Sequence, residues 1–82
     1  MKEQYEKLSP KIQQEFARYE NIVALNYNYM KSIGIKDPSQ LISITPELFL
    51  MPNKILIKKL NNLDIELINN DPAMIVEVIW EE

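Results

Sequence analysis

Lys54, Lys58 and Lys59 crowd one short segment, and Asp64, Glu66 and Asp71 follow soon after it. Ammonium groups at this spacing suit a phosphate backbone or an acidic protein surface. Paired carboxylates suit general acid–base work, and a cluster of three could hold a hard cation through oxygen. The rest of the chain argues against the catalytic readings. Histidine and cysteine are both absent, which excludes a Ser–His or Cys–His nucleophile, a thiolate zinc site and a disulfide. Ser9, Ser32, Ser39 and Ser43 are accounted for by helix caps and short-helix surfaces. Asp64 with Glu66 reads as a solvated face, and the acids lack the spacing and turn glycine of a calcium loop. The single glycine leaves no glycine-rich phosphate loop. The chain is read as a non-enzyme, with no catalytic, cofactor-binding or metal-ligating residue and no cofactor.

What remains is a binding role. Lys54 and Lys58 lie at i and i+4 with Lys59 beside them, so they share a helix side. Trp80 is a candidate anchor, because tryptophan is enriched at binding hot spots. These four residues form the candidate partner-binding set; the plainer alternatives are a solvated lysine face and a tryptophan that closes the core. Tyr19, Tyr27 and Tyr29 admit a base-stacking role, but their place on a helix favours packing. Asn26 falls on an apolar stripe, where it could set the register of a self-paired helix; a cap to a neighbouring loop or partial exposure accounts for it better.

Several elements must position these groups. Four of the five prolines follow a capping residue, at Ser9-Pro10, Asp37-Pro38, Thr45-Pro46 and Asp71-Pro72. An oxygen-bearing side chain accepts from the first free N–H groups of a helix, and proline suits the next position. Residues 2–8 are expected to form one or two helical turns with Tyr5 and Leu8 on one side. Ile12, Phe16, Tyr19, Val23, Asn26, Met30 and Ile33 recur at spacings of four and three, which predicts an amphipathic helix over 10–33. Ile22, Leu25 and Tyr29 widen its stripe. Gly34 fits the position after that helix, with Ile35 closing back on Met30. Asp37 is expected to cap a short helix with Gln40 at its third position, Thr45-Pro46 to open another, and Asn53 to cap a third over 54–63.

The expected fold is all-α: one 1–82 domain in which the long helix packs on a stack of short proline-initiated helices over 38–80. Its expected core is Ile12, Phe16, Ile22, Val23, Met30, Ile33, Leu41, Ile44, Leu48, Phe49, Leu56, Leu60, Leu63, Leu67, Ile75 and Ile79. The alternative is an α+β fold ending in a three-stranded meander of 54–60, 63–68 and 73–80, since Leu63-Asp64-Ile65-Glu66-Leu67 alternates like a half-buried strand.

Charge and composition bound the partners. Residues 1–30 are balanced, 31–59 carry a net +3 and 60–82 a net −6. This dipolar layout suits docking on a charged protein, and the overall −3 disfavours nucleic acid without removing a local basic patch. Self-association is open, because a long helix with a broad apolar stripe can hide it in a second copy. No apolar run approaches a membrane span, and the opening Met1-Lys2-Glu3-Gln4 lacks a leader's apolar core; a cytoplasmic, non-membrane protein is expected.

Leu41-Ile42-x-x-x-Pro46 and Leu67-Ile68-x-x-x-Pro72 share a pattern, and Met30 to Ile35 parallels Leu60 to Ile65. With Pro46-Glu47-Leu48-Phe49 and Asp71-Pro72-Ala73-Met74-Ile75, this resembles the helical repeats of the mitochondrial transcription termination factor family. Gly34, Pro46, Leu48 and Pro72 match positions of that motif, and Asp64 stands where its second glycine would fall. The resemblance implies a right-handed stack of short helices with a concave basic surface for nucleic acid. Gly34-Ile35, Leu41-Ile42 and Pro46 are also similar to helix-hairpin-helix modules, without their glycine-rich hairpin.

Overall fold

The structure, a computed structural model, describes residues 6–80. Among these residues the chain is all helix: α1 (Pro10–Arg18), α2 (Glu20–Ser32), α3 (Ser39–Ile44), α4 (Glu47–Leu50), α5 (Asn53–Leu60), α6 (Ile65–Asn70) and α7 (Met74–Trp80). The three stretches weighed as strands are therefore helices. Tyr5 lies outside the described residues. Leu8 packs on the core, and the Gln13 side-chain amide donates to the Leu8 carbonyl at 2.9 Å.

The long helix expected over 10–33 is two helices. Tyr19, at φ −114° and ψ 35°, breaks the regular backbone between α1 and α2. No proline or glycine stands there, so the break has no local cause. It turns Tyr19 out to 44% exposure with the Arg18 guanidinium over its ring, while Phe16 and Val23 on either side stay buried. Leu25, expected to widen the stripe, is instead 53% exposed.

The starts of α1, α3, α4, α5 and α7 fall at or just after a proline, each with its own chemistry. Ser9 caps α1 through its hydroxyl, which accepts from the Ile12 N–H at 3.3 Å, with Pro10 following. Asp37 does not cap the backbone of α3; its carboxylate takes the Ser39 hydroxyl, and the helix begins after Pro38. The Thr45-Pro46 and Asp71-Pro72 junctions are near copies of each other. Thr45 and Asp71 have φ,ψ of −146°,78° and −143°,85°. Each donates its N–H to the carbonyl four residues back, Leu41 or Leu67, at 2.8 Å, and each proline carbonyl accepts from Phe49 or Ile75 at 3.1 Å. The shared sequence pattern therefore encodes one shared backbone turn. Burial departs from the pattern: Ile42 and Ile68 are both buried, whereas Leu41 is buried and Leu67 is 38% exposed. Asp64, in the place of the second glycine, caps α6 by accepting from the Leu67 N–H at 3.1 Å. The strand-like alternation at 63–67 is thus a helix start.

Gly34 closes α2 in the expected way. Its φ is +108°, its N–H reaches the Lys31 carbonyl, and the Ile35 N–H reaches the Met30 carbonyl at 3.1 Å. These are the two bonds of a Schellman closure, and Met30 and Ile35 are both buried. Asn69 on α6 then grips this turn from outside, donating to the Gly34 carbonyl at 3.0 Å and accepting from the Lys36 N–H at 2.9 Å. Gly34→Ala should cost about 1–3 kcal/mol, since a side chain is strained at this φ and its Cβ would stand 3.3 Å from Ile65 Cγ2. Thermal denaturation should show a fall of roughly 5–15 °C; an unchanged midpoint would contradict the closure.

The core gathers Phe16, Val23, Met30, Leu41, Leu48, Phe49, Leu56, Leu60, Ile75 and Ile79 as expected, and adds Ile35, Ile42 and Ile68. Ile12, Ile33, Ile44 and Leu63 are half-buried at its edge, Ile22 is half-buried away from it, and Leu67, also expected in the core, is exposed. The principal helix contacts set α2 against α4 and α5, α1 against α2, and α6 against α7.

Candidate functional site

The basic segment is α5, and its buried side decides what its outer side shows. Pro52 precedes it and its carbonyl accepts from the N–H groups of Ile55 and Leu56 at 2.9 and 3.0 Å. Leu56 and Leu60, one turn apart, are buried. Lys58 and Lys59 lie in its last turn, where cations oppose the helix dipole favourably. Asn53 is the first residue of α5 and not its cap; its side-chain amide donates to Asn26 Oδ1 at 3.0 Å.

At ~100° per residue, Lys54 and Lys58 face away from Leu56 and Leu60, and Ile57 and Ile55 flank them at roughly 80° and 120° from the buried direction. All four are exposed, Ile55 at 47% and Ile57 at 40%. The outer face of α5 is thus two lysines between two isoleucines. Lys59 lies on the other flank of the helix from Ile57 and is half-buried, so the expected trio is a pair on this face. Trp80 is not part of α5's face: it is the last residue of α7, and its side chain lies outside what is described. Ile55 and Ile57 were missed as site residues. Their signal was present, since both are apolar β-branched residues that fall off the Leu56–Leu60–Leu63 rhythm.

The other candidate features serve the scaffold. Tyr27 stacks at a tilt on Phe49, with ring centres 6.5 Å apart, and Tyr29 packs on the core. Tyr19 is exposed, with the Arg18 guanidinium 5.8 Å from its ring centre. The Ser32 hydroxyl donates to the Tyr29 carbonyl at 2.6 Å and that of Ser43 to Gln40 at 3.1 Å. Among the described residues, no group of three or more carboxylates is placed to hold a metal ion.

Between the α2–α3 turn and α6 lies a cavity of about 150 Å³, bounded by Lys36, Asp37, Gln40 and Asn69 over Ile35 and Ile68. Sites for small organic ligands take roughly 300 Å³ or more. The Asn69 amide also bonds the backbone of the facing wall at Gly34 and Lys36, so this cavity is a seam between elements. No described helix is long and apolar enough to cross a membrane.

No family model, curated protein or solved structure matches the chain.

Proposed function

We propose that this chain is a non-catalytic protein-binding module whose docking face is the outer side of α5. The observation that carries the reading is the exposed sequence Ile57, Lys54, Lys58, Ile55 around that helix. A merely solvated helix face favours straight-chain polar residues, because β-branched ones lose side-chain freedom in a helix. Two isoleucines beside two lysines cost helix propensity and leave apolar surface in water. Both costs are offset when an apolar partner surface covers the isoleucines and carboxylates meet the lysines. A nucleic-acid groove would match the lysines and not the isoleucines.

The test is photo-crosslinking in the native cell. A benzoylphenylalanine replacing Ile57 should trap a discrete protein partner with an acidic contact surface. The same label replacing Leu25, as exposed but on α2, should not. The double change Lys54→Glu and Lys58→Glu should lower the Ile57 adduct roughly tenfold or more. Equal adducts from both positions, or an adduct indifferent to charge reversal, rejects the α5 reading. Adducts to DNA or RNA, with binding that persists at about 50 mM salt and falls steeply above it, would favour the nucleic-acid module instead.

A further inference from the structure

The acidic end of the chain carries the complement of the α5 face. In α7, Ile75 and Ile79 are buried one turn apart, as Leu56 and Leu60 are in α5. Opposite them, Glu77 is exposed, and Val76 at 37% and Val78 at 45% exposure flank it, each roughly 100° around the helix from it. The outer side of α7 is therefore a carboxylate between two valines, where α5 shows two ammonium groups between two isoleucines. Both helices spend β-branched residues on water-facing positions that favour other side chains. The surroundings follow the same signs: residues 60–80 contain Asp64, Glu66, Asp71 and Glu77 and no base, whereas Lys31, Lys36, Lys54, Lys58 and Lys59 outnumber the acids of 31–59.

Within one chain these faces do not cover each other, since both are exposed and α5 packs chiefly on α2 while α7 packs on α6. We propose that the α5 face of one copy docks on the α7 face of a second copy, isoleucines against valines and Lys54 and Lys58 around Glu77. This rests on the reading of α5 as a docking face and names its occupant. The contact is heterologous, so each added copy leaves one α5 and one α7 face free, and assembly continues unless a ring closes. An eight-residue helix is only about 12 Å long, so each contact is small and the association is weak and sensitive to salt.

The full chain should be followed by sedimentation velocity from about 10 μM to about 1 mM, at low and high salt. The weight-average mass should rise with concentration at low salt and fall back as salt is added. Lys54→Glu with Lys58→Glu, and separately Glu77→Lys, should each weaken association by roughly tenfold or more. Mixing those two variants should restore it, because each then supplies the face the other has lost. Circular dichroism of each variant checks that the helices are intact, which these exposed positions allow. A wild-type chain that stays monomeric throughout, variants that associate as the wild type does, or a mixture no stronger than its parts would each overturn self-docking. The α5 reading is judged apart from this, by the Ile57 crosslink: a monomeric chain that still traps an acidic foreign partner through Ile57 loses only the second copy.

Discussion

Asn26→Ala should destabilise the domain by roughly 3–5 kcal/mol. Asn26 is fully buried in the middle of α2. Its amide spends both N–H groups on the Phe49 and Met51 carbonyls, at 2.8 and 2.9 Å, and its oxygen accepts from Asn53 at 3.0 Å. Those carbonyls belong to the end of α4, a helix of four residues. Helices leave their last carbonyls without internal partners, and a helix this short has little else to hold it. Asn26 therefore supplies from another element the donors that α4 lacks. An alanine leaves two carbonyls and the Asn53 amide without these partners, and opens a void beside them. A domain of this size has a total stability of roughly 4–12 kcal/mol, so the variant should melt at least about 15 °C lower. Asn26→Asp separates polarity from packing, because it keeps the shape and replaces the donating amide with an acceptor. It should be as damaging at neutral pH. A cycle with Asn53→Ala should be non-additive, since the two residues share one network. If alanine and aspartate at position 26 both melted within a few degrees of the wild type, the cap would have no energetic weight.

Phe49→Ala should cost about 3–5 kcal/mol by removing the largest fully buried side chain of the core. Its ring lies at a tilt to Phe16, with centres 6.3 Å apart, and to Tyr27. It thus joins α4 to both α1 and α2, across the break at Tyr19. The same residue offers its carbonyl to Asn26, so ring and backbone fasten the short helix from two directions. Urea denaturation should show a much lower midpoint, and near-ultraviolet circular dichroism should weaken as the tyrosine environments loosen. Phe49→Leu keeps most of the volume and should cost about 1.5 kcal/mol or less. An alanine that behaved like the leucine would mean that the core collapses around the gap and that α4 is not held by this ring.

Comparison of particular residues shows what was legible beforehand. Ser9-Pro10 and the Gly34 closure depend on bonds between residues three to five apart, and each was readable from its own few residues; the turns at Pro46 and Pro72 were readable as helix starts, but Thr45 and Asp71, expected to cap the helices that follow, close the helices that precede. The break at Tyr19 was not, because nothing in its neighbourhood stops a helix. Asp64 shows the converse error: period-two alternation in 63–67 hid an aspartate cap that needs only the Leu67 N–H. The basic patch was half legible. Helical spacing alone puts Lys54 and Lys58 together, whereas the half-burial of Lys59 and the exposure of Ile55 and Ile57 depend on which side of α5 meets α2.

By itself, then, the sequence favoured the all-α class over an α+β one, placed most helix starts and fixed the want of histidine and cysteine chemistry. Those follow from local hydrogen bonding, side-chain type and the helical period. Only the tertiary structure decided that one stripe bends into two helices, that Asn26 is fully buried and that the backbone it caps is the end of α4, and that α5 shows isoleucine with lysine to solvent. The physical reason, for Asn26 and for α5, is dependence on a partner more than twenty residues away or on a neighbouring helix. A backbone carbonyl such as that of Phe49 looks the same in every sequence, and only folding places it against the one amide that satisfies it.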